Sequence, residues 1–196
     1  MRDTTTMDDC RPTPVGTWNR GSLECGWTLA PRTNTYRTWD YPRGSSPNDP
    51  NRRVGTDREI ELLTAMASFW ATGHPDRPLL IGDLSRPHGG PFGRLYGGPG
   101  HASHQNGLDV DIYLPRTDAK RRPPAKPSEV DLKLARELIA DFGADPDVLV
   151  MYVGCLRDYA SASAKADKLC NGEHENHFHV RLTAQPAQTP SLSDSP

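Results

Sequence analysis

Two short stretches alternate so strictly that little besides paired β-strands can accommodate them. In HFHVRL, residues 177–182, His177, His179 and Arg181 face one way and Phe178, Val180 and Leu182 the other. In LDVDIYL, residues 108–114, Leu108, Val110, Ile112 and Leu114 oppose Asp109, Asp111 and Tyr113. Alternation with a period of two marks half-buried strands, so each apolar set is expected in the core and each polar set on an open face. If both strands share a sheet, Asp111 and His179 fall in one cleft. Gly107 permits a tight turn that would fold His104 back toward Asp111.

The chain has seven histidines, and two segments concentrate five of them. HENHFHVRL holds His174, His177 and His179, while GHASHQNGLDVDIYL holds His101 and His104 beside Asp109 and Asp111. Histidine with aspartate is the ligand set of a zinc site that keeps a position open for water. A structural zinc site would be cysteine-rich and closed, whereas the cysteines here have no CxxC spacing. A lone histidine on a strand would be an ordinary structural residue; repetition on two strands favours a metal. His177 and His179 stand roughly 6.6 Å apart along a strand, which suits one ligand and one neighbour poised beside the ion. The reading is a zinc hydrolase, although nitrogen and oxygen donors also accept cobalt, nickel or copper.

Zinc lowers the pKa of a bound water to about 7 and polarises a carbonyl. The chain has no HExxH glutamate, so His177 is the candidate base. Two roles are open to it: taking the water's proton or stabilising the oxyanion as an imidazolium. Asp109 faces the same cleft and is expected to orient a ligand histidine or to contact a substrate amine; a solvated edge residue is the plainer alternative. Gln105 and Ser103 are weaker candidates for substrate hydrogen bonds.

SHQNGLDVDI and HENHFHVRL resemble the motifs of the penicillin-insensitive murein endopeptidases, as does IGDLSRPHGGPFG, residues 81–93. That family belongs to a wider group of zinc peptidases that includes lysostaphin, D-Ala-D-Ala peptidases and the hedgehog signalling domain. Their shared pattern is H-x6-D followed by H-x-H. The resemblance covers roughly residues 79–115 and 147–182, and leaves out the first 50 residues and the arginine-proline stretch after Leu114. It implies that His104, Asp111 and His179 bind one zinc ion. It makes His101 either a further ligand when substrate is absent or a loop residue lining the cleft. His177 would be the base or oxyanion stabiliser, and His174 another active-site histidine. D-Ala-D-Ala dipeptidases usually carry glutamate-tryptophan-histidine where this chain has His177, Phe178 and His179, which favours the endopeptidase branch. The implied target is the D-alanyl to diaminopimelyl bond of peptidoglycan, and the lack of a serine nucleophile would explain insensitivity to β-lactams.

Composition sets the remaining bounds. At 196 residues the chain suits one stable core. A net charge of −2 gives no broad electrostatic footprint for nucleic acid. No apolar run approaches the length of a membrane span. MRDTTTMDDC is not followed by an apolar signal region, so the expectation is a removed signal or another export route, such as a phage holin. Cys10–Cys25 and Cys155–Cys170 are the favoured pairings, since each closes a local loop. Paired cysteines imply an oxidising compartment, periplasmic or extracellular; four reduced thiols in a cytosolic protein are the alternative.

The expected fold class is α+β, with a small antiparallel sheet bearing the cleft and two or three helices outside. Residues 1–53 read as an irregular wrap whose aromatics (Trp18, Trp27, Tyr36, Trp39 and Tyr41) anchor on the body or line a glycan groove. Residues 54–183 read as the peptidase domain and 184–196 as a disordered tail. Thr56 to Glu59 is a capping box, opening a helix with Ile60, Leu63, Ala67 and Trp70 on one face and Gly73 and Pro75 at its stop. A second helix is expected from about Glu129 to Phe142, with Ser128 as cap and Gly143 as stop. Leu79–Leu84 and Val148–Val153 read as strands, and 156–168 as a short helix. Arg86, His88 and Tyr96 lie in a loop, 86–100, long enough to meet substrate. The cations between Arg116 and Lys126 read as a solvated loop, or as a contact with anionic wall polymer. A monomer acting on stem peptides is expected. Two other functions fit the residues: a D,D- or L,D-carboxypeptidase using Arg181 or Arg86 to hold a terminal carboxylate, and a zinc-containing binding module without turnover.

Overall fold

The structure, a computed structural model, describes residues 10–93, 101–170, 172 and 174–184. Tyr96 and the tail after residue 184 lie outside the described residues. The first strands are β1 (Thr13–Thr17), β2 (Arg20–Glu24), β3 (Trp27–Thr28), β4 (Tyr36–Thr38) and β5 (Val54–Gly55). Helix α1 (Asp57–Gly73) leads to β6 (Leu79–Ile81) and β7 (Asp109–Tyr113). Helix α2 (Leu132–Ala144) precedes β8 (Val148–Val153), β9 (Ala166–Lys168) and β10 (His177–Leu182).

One six-stranded sheet, in the order β4-β6-β7-β10-β8-β9, organises this α+β fold. Its centre is antiparallel, while β4 runs parallel to β6 at one edge and β9 parallel to β8 at the other. The alternation in β7 and β10 does what it must: Val110, Ile112, Phe178, Val180 and Leu182 turn inward. There they meet Leu63, Ala67 and Trp70 of α1 and Ala135, Leu138, Ile139 and Phe142 of α2 in one core. Phe142 and Phe178 pack edge to face with ring centres 5.5 Å apart. With both helices on this side, the opposite face of the sheet is left for chemistry.

The first helix starts and stops where expected, but its capping box is half made. Thr56 Oγ1 accepts from the Glu59 backbone N–H at 3.2 Å. The Thr56 N–H instead reaches the Gly107 carbonyl, and the Glu59 carboxyl is buried against Gly55, where any β-carbon would collide with it. Burial first, and the Asp109 charge second, push the Glu59 pKa well above the usual glutamate range.

The second helix begins later than expected, at Leu132 with Asp131 as cap, because Glu129 is engaged elsewhere: its carboxylate takes Arg116 and the Ala125 N–H. Gly143 does not end this helix but lies inside it, where a β-carbon would collide with the Ser163 hydroxyl. Residues 156–168 are not helical beyond one 3₁₀ turn, Ala160–Ala162; they supply β9, which pairs with the outer edge of β8. Both expected disulfides, Cys10–Cys25 and Cys155–Cys170, are formed.

Residues 10–53 hold more regular structure than an irregular wrap: a β1–β2 hairpin, the short β3 and the sheet strand β4. Of their aromatics only Tyr36 is sunk in the core, whereas Trp18, Trp27 and Tyr41 are 40 %, 48 % and 64 % exposed. In the arginine-proline loop, buried Arg116 bonds Asp118 and Glu129, and Lys120, Arg121, Arg122 and Lys126 stand in solvent. None of the described helices is long and apolar enough to cross a membrane.

Phe178→Ala removes a wholly buried ring from directly behind the polar face. We expect a loss of about 3–5 kcal/mol in folding free energy, read from urea unfolding followed by tryptophan fluorescence.

Candidate metal centre

The register of β7 against β10 builds the site. Tyr113, Asp111 and Asp109 stand directly opposite His177, His179 and Arg181, so three cross-strand pairs line one face. Before β7 the chain turns at Gly107 (φ 73°), and His104 itself adopts φ 64°, a strained backbone state for a residue with a β-carbon. That turn brings His104 over Asp111, with Nε2 3.4 Å from Oδ1. His179 Nδ1 lies 3.2 Å from the same oxygen and His177 Nε2 3.8 Å from it, while His101 Nδ1 is 3.6 Å from Asp111 Oδ2. The donor atoms of His101, His104 and Asp111 all lie within 4.8 Å of one another.

These separations suit a divalent cation. Ligands about 2.0–2.1 Å from a tetrahedral zinc stand about 3.3 Å from each other, close to the 3.2 and 3.4 Å from Asp111 Oδ1 to His179 and His104. His104 supplies a second indication. It is wholly buried, and neither ring nitrogen has a hydrogen-bond partner among the described residues. Such a group is costly unless something else satisfies it.

A further layer of side chains sets which ring nitrogen faces the centre. His179 Nε2–H donates to Asp109 Oδ1 at 2.7 Å, leaving Nδ1 toward Asp111. His101 Nε2–H donates to Asp83 Oδ2 at 2.8 Å, leaving Nδ1 inward. Asp83 is held in turn by Arg52 and by Asn48 Nδ2 at 2.9 Å. Asn176 Nδ2 donates to the Pro124 carbonyl, which turns Asn176 Oδ1 toward His177 Nδ1–H at 2.8 Å. His177 Nε2 is thereby left as an acceptor facing the centre.

Electrostatics separate the two histidines of the H-x-H motif. Burial, reinforced by the charges of His174, His101 and His179, pulls His177 down to about 4 against the attraction of Asp111. It is neutral at neutral pH. Burial also opposes charge on His179, but its bonds to Asp109 and Asp111 outweigh that and push it up to about 9. Burial similarly opposes charge on Asp111, yet His104, His101 and His177 hold it well below the usual carboxylate range. The site therefore draws positive charge to the space between Asp111 and His179. A cation there would displace a proton.

Of the residues singled out from sequence, His101, His104, Asp111, His177 and His179 converge, and Asp109 supports His179 from within the core rather than from a solvated edge. His174 joins them through its ring, 4.9 Å from that of His177. Gln105 is buried and tied by its backbone to Trp18 and Gly90. Ser103 is half-buried, Arg86 turns back to the Pro91 carbonyl, and His88 is exposed. Sequence reading missed Asp83, Arg52 and Asn176. For Asp83 a signal existed: a carboxylate closing the apolar run LLIGDL. Arg52 comes from a distant segment that no local pattern connects to it.

Much of the chain is similar to known proteins. A family model described as penicillin-insensitive murein endopeptidase matches residues 14–141. A protein of that name from Haemophilus influenzae is 28 % identical over 200 residues, covering 90 % of this chain and 65 % of its own length. One from Yersinia pestis is 32 % identical over 147 residues, covering 62 % and 52 %. Another, from Salmonella arizonae, is 32 % identical over 206 residues, covering 93 % and 70 %. This chain thus spans between about half and somewhat over two thirds of the length of those relatives.

Asp83 gives the centre a measurable acid sensitivity. Burial would raise its pKa, but the bonds from His101 and Arg52 and their charges bring it down to about 2 from 3.8. A depressed carboxyl stabilises the fold above its unfolded pKa and loses that contribution as pH falls from about 4 to about 2, a loss on the order of 2 kcal/mol. Asp83→Asn takes away the carboxylate charge that balances the buried Arg52 guanidinium, and should cost about 3–5 kcal/mol at neutral pH. Denaturant titrations across this pH range, run in chelator, check both.

Proposed function

Because this chain belongs to the penicillin-insensitive murein endopeptidase family, we propose that it is a zinc-dependent endopeptidase hydrolysing peptide cross-links in peptidoglycan. The bond it takes is the D-alanyl to diaminopimelyl link. The observation that carries this reading is the convergence of His104, His177 and His179 on one Asp111 oxygen, at 3.4, 3.8 and 3.2 Å. His104, Asp111 and His179 would hold zinc, with His101 the donor that gives way to substrate. Zinc bound there supplies polarisation of the scissile carbonyl and an acidified water.

The chain's own groups supply the rest. His177, neutral and aimed by Asn176, accepts a proton at Nε2 from the attacking water and returns it to the leaving amine. Asp109 and Asp83 keep the imidazoles of His179 and His101 in one tautomer, so no reorganisation is needed when substrate arrives. Buried His104 closes the inner side of the centre against water. His174, next to His177, belongs to the same active site. Two disulfides fit action in an oxidising compartment, the periplasm or cell exterior.

Chelation should abolish release of cross-linked muropeptide monomers, and added zinc should restore it, with products identified by mass. His104→Ala, Asp111→Ala and His179→Ala should each lose bound zinc together with activity. His177→Ala should keep zinc and lose about 10²–10⁴-fold in kcat. Full turnover by a zinc-loaded His177→Ala protein would overturn its role as base, and release of terminal residues alone would mark a carboxypeptidase.

A further inference from the structure

Arg181 is the third residue on the polar face of β10, beyond His177 and His179. Asp109 Oδ1 accepts from His179 Nε2 and from Arg181 Nε, each at 2.7 Å, so imidazole and guanidinium stand side by side. The arginine side chain is only 10 % exposed. Its guanidinium carbon lies 4.3 Å from the centre of the Trp18 ring and 5.5 Å from that of Tyr152, and the Tyr152 ring is 5.8 Å from that of His179. Two rings and one carboxylate therefore hold this cation next to the metal centre. Its terminal nitrogens have no hydrogen-bond partner among the described residues, nor are they among the polar atoms sealed from solvent.

A guanidinium bonded at Nε and set against two aromatic rings has given up most of its rotamer freedom before any ligand arrives. The open edge then presents two parallel N–H donors, the geometry that matches a carboxylate. Preorganisation of this kind lowers the cost of binding. A purely structural partner for Asp109 would need only the Nε contact. It would not need Trp18, which keeps 40 % of its surface exposed while covering the guanidinium.

We propose that Arg181 binds a substrate carboxylate on the carbon that bears the scissile nitrogen, with Trp18 holding the guanidinium flat for that contact. The inference rests on the endopeptidase reading and adds the reason for its choice of bond. In diaminopimelate each amino group shares its carbon with a carboxyl. A D-alanyl to diaminopimelyl link therefore carries a free carboxylate immediately beyond the cleaved bond, where Arg181 stands beyond His179. Substrates with a neutral group at that place would leave the fork unpaired in a largely buried position, and would be taken less well.

Two cross-linked peptides, identical except that this carboxyl is free in one and amidated in the other, test the assignment. Wild type should prefer the acid by about tenfold or more in kcat/KM. Arg181→Lys keeps the charge but loses the fork, and should bring the ratio near one with zinc content unchanged. Trp18→Ala, at a half-exposed turn position where folding is not at risk, should raise KM for the acid substrate alone. Equal losses on both peptides would overturn the proposal and leave Arg181 as a support for Asp109. An undiminished preference in both variants would overturn it as well. If wild type cleaves neither peptide, the endopeptidase reading fails; equilibrium binding of the same pair to wild type and variants then decides the carboxylate contact by the same ratio.

Discussion

The antiparallel pairing of β7 with β10, in the register that sets His179 opposite Asp111, is the constraint on which the rest depends. A slip of one residue would turn Asp109, Asp111, His177 and His179 into the core and expose Val110, Ile112, Phe178 and Val180. The core forbids that slip. Those apolar residues are wholly buried against α1 and α2, and β10 is held along both edges, by β7 and by β8. Hydrophobic burial on one face of the sheet thereby fixes the spacing of polar atoms on the other.

Around Asp111 the same arrangement of groups occurs twice. On one side Arg52 pairs with Asp83, which accepts from His101; on the other Arg181 pairs with Asp109, which accepts from His179. In each, the hydrogen bond from the histidine, helped by the charge of the guanidinium, keeps a buried carboxylate ionised, and the carboxylate orients the imidazole. Buried charges are expensive singly and tolerable in such hydrogen-bonded sets. Their return here is geometric: two inward-facing ring nitrogens set before any cation or substrate arrives. Glu59, the one buried carboxyl of this region without a hydrogen-bond partner among the described residues, is pushed toward its neutral form, so it brings no further charge to Asp109.

The N-terminal segment takes part in this construction. Arg52 and Asn48 reach Asp83, the β1–β2 hairpin places Trp18 over Arg181, and β4 extends the sheet beyond β6. Arg58, at the start of α1, joins Asp147 and Thr183, which ties the helix to the strand ends of β8 and β10. The arginine-proline loop contributes as well, since the Pro124 carbonyl steadies Asn176 and through it His177.

Local pattern was enough to read β7, β10 and α1, to favour both disulfides across a separation of 15 residues, and to single out His101, His104, Asp111, His177 and His179 as candidates, whereas their convergence came with the pairing of β7 and β10. The start of α2, the strand β9 and the unmade half of the Thr56 capping box were not readable in that way. Each was decided by a partner far along the chain: Arg116 for Glu129, the free edge of β8 for residues 166–168, and Gly107 for the Thr56 N–H. Asp83, Arg52, Asn176 and the Trp18–Arg181 stack belong to the same class. A strand's alternation says which side chains share a face, since that follows from backbone pleat alone. Which distant side chains then meet that face depends on how the elements pack, and that packing arises only when the whole chain has folded.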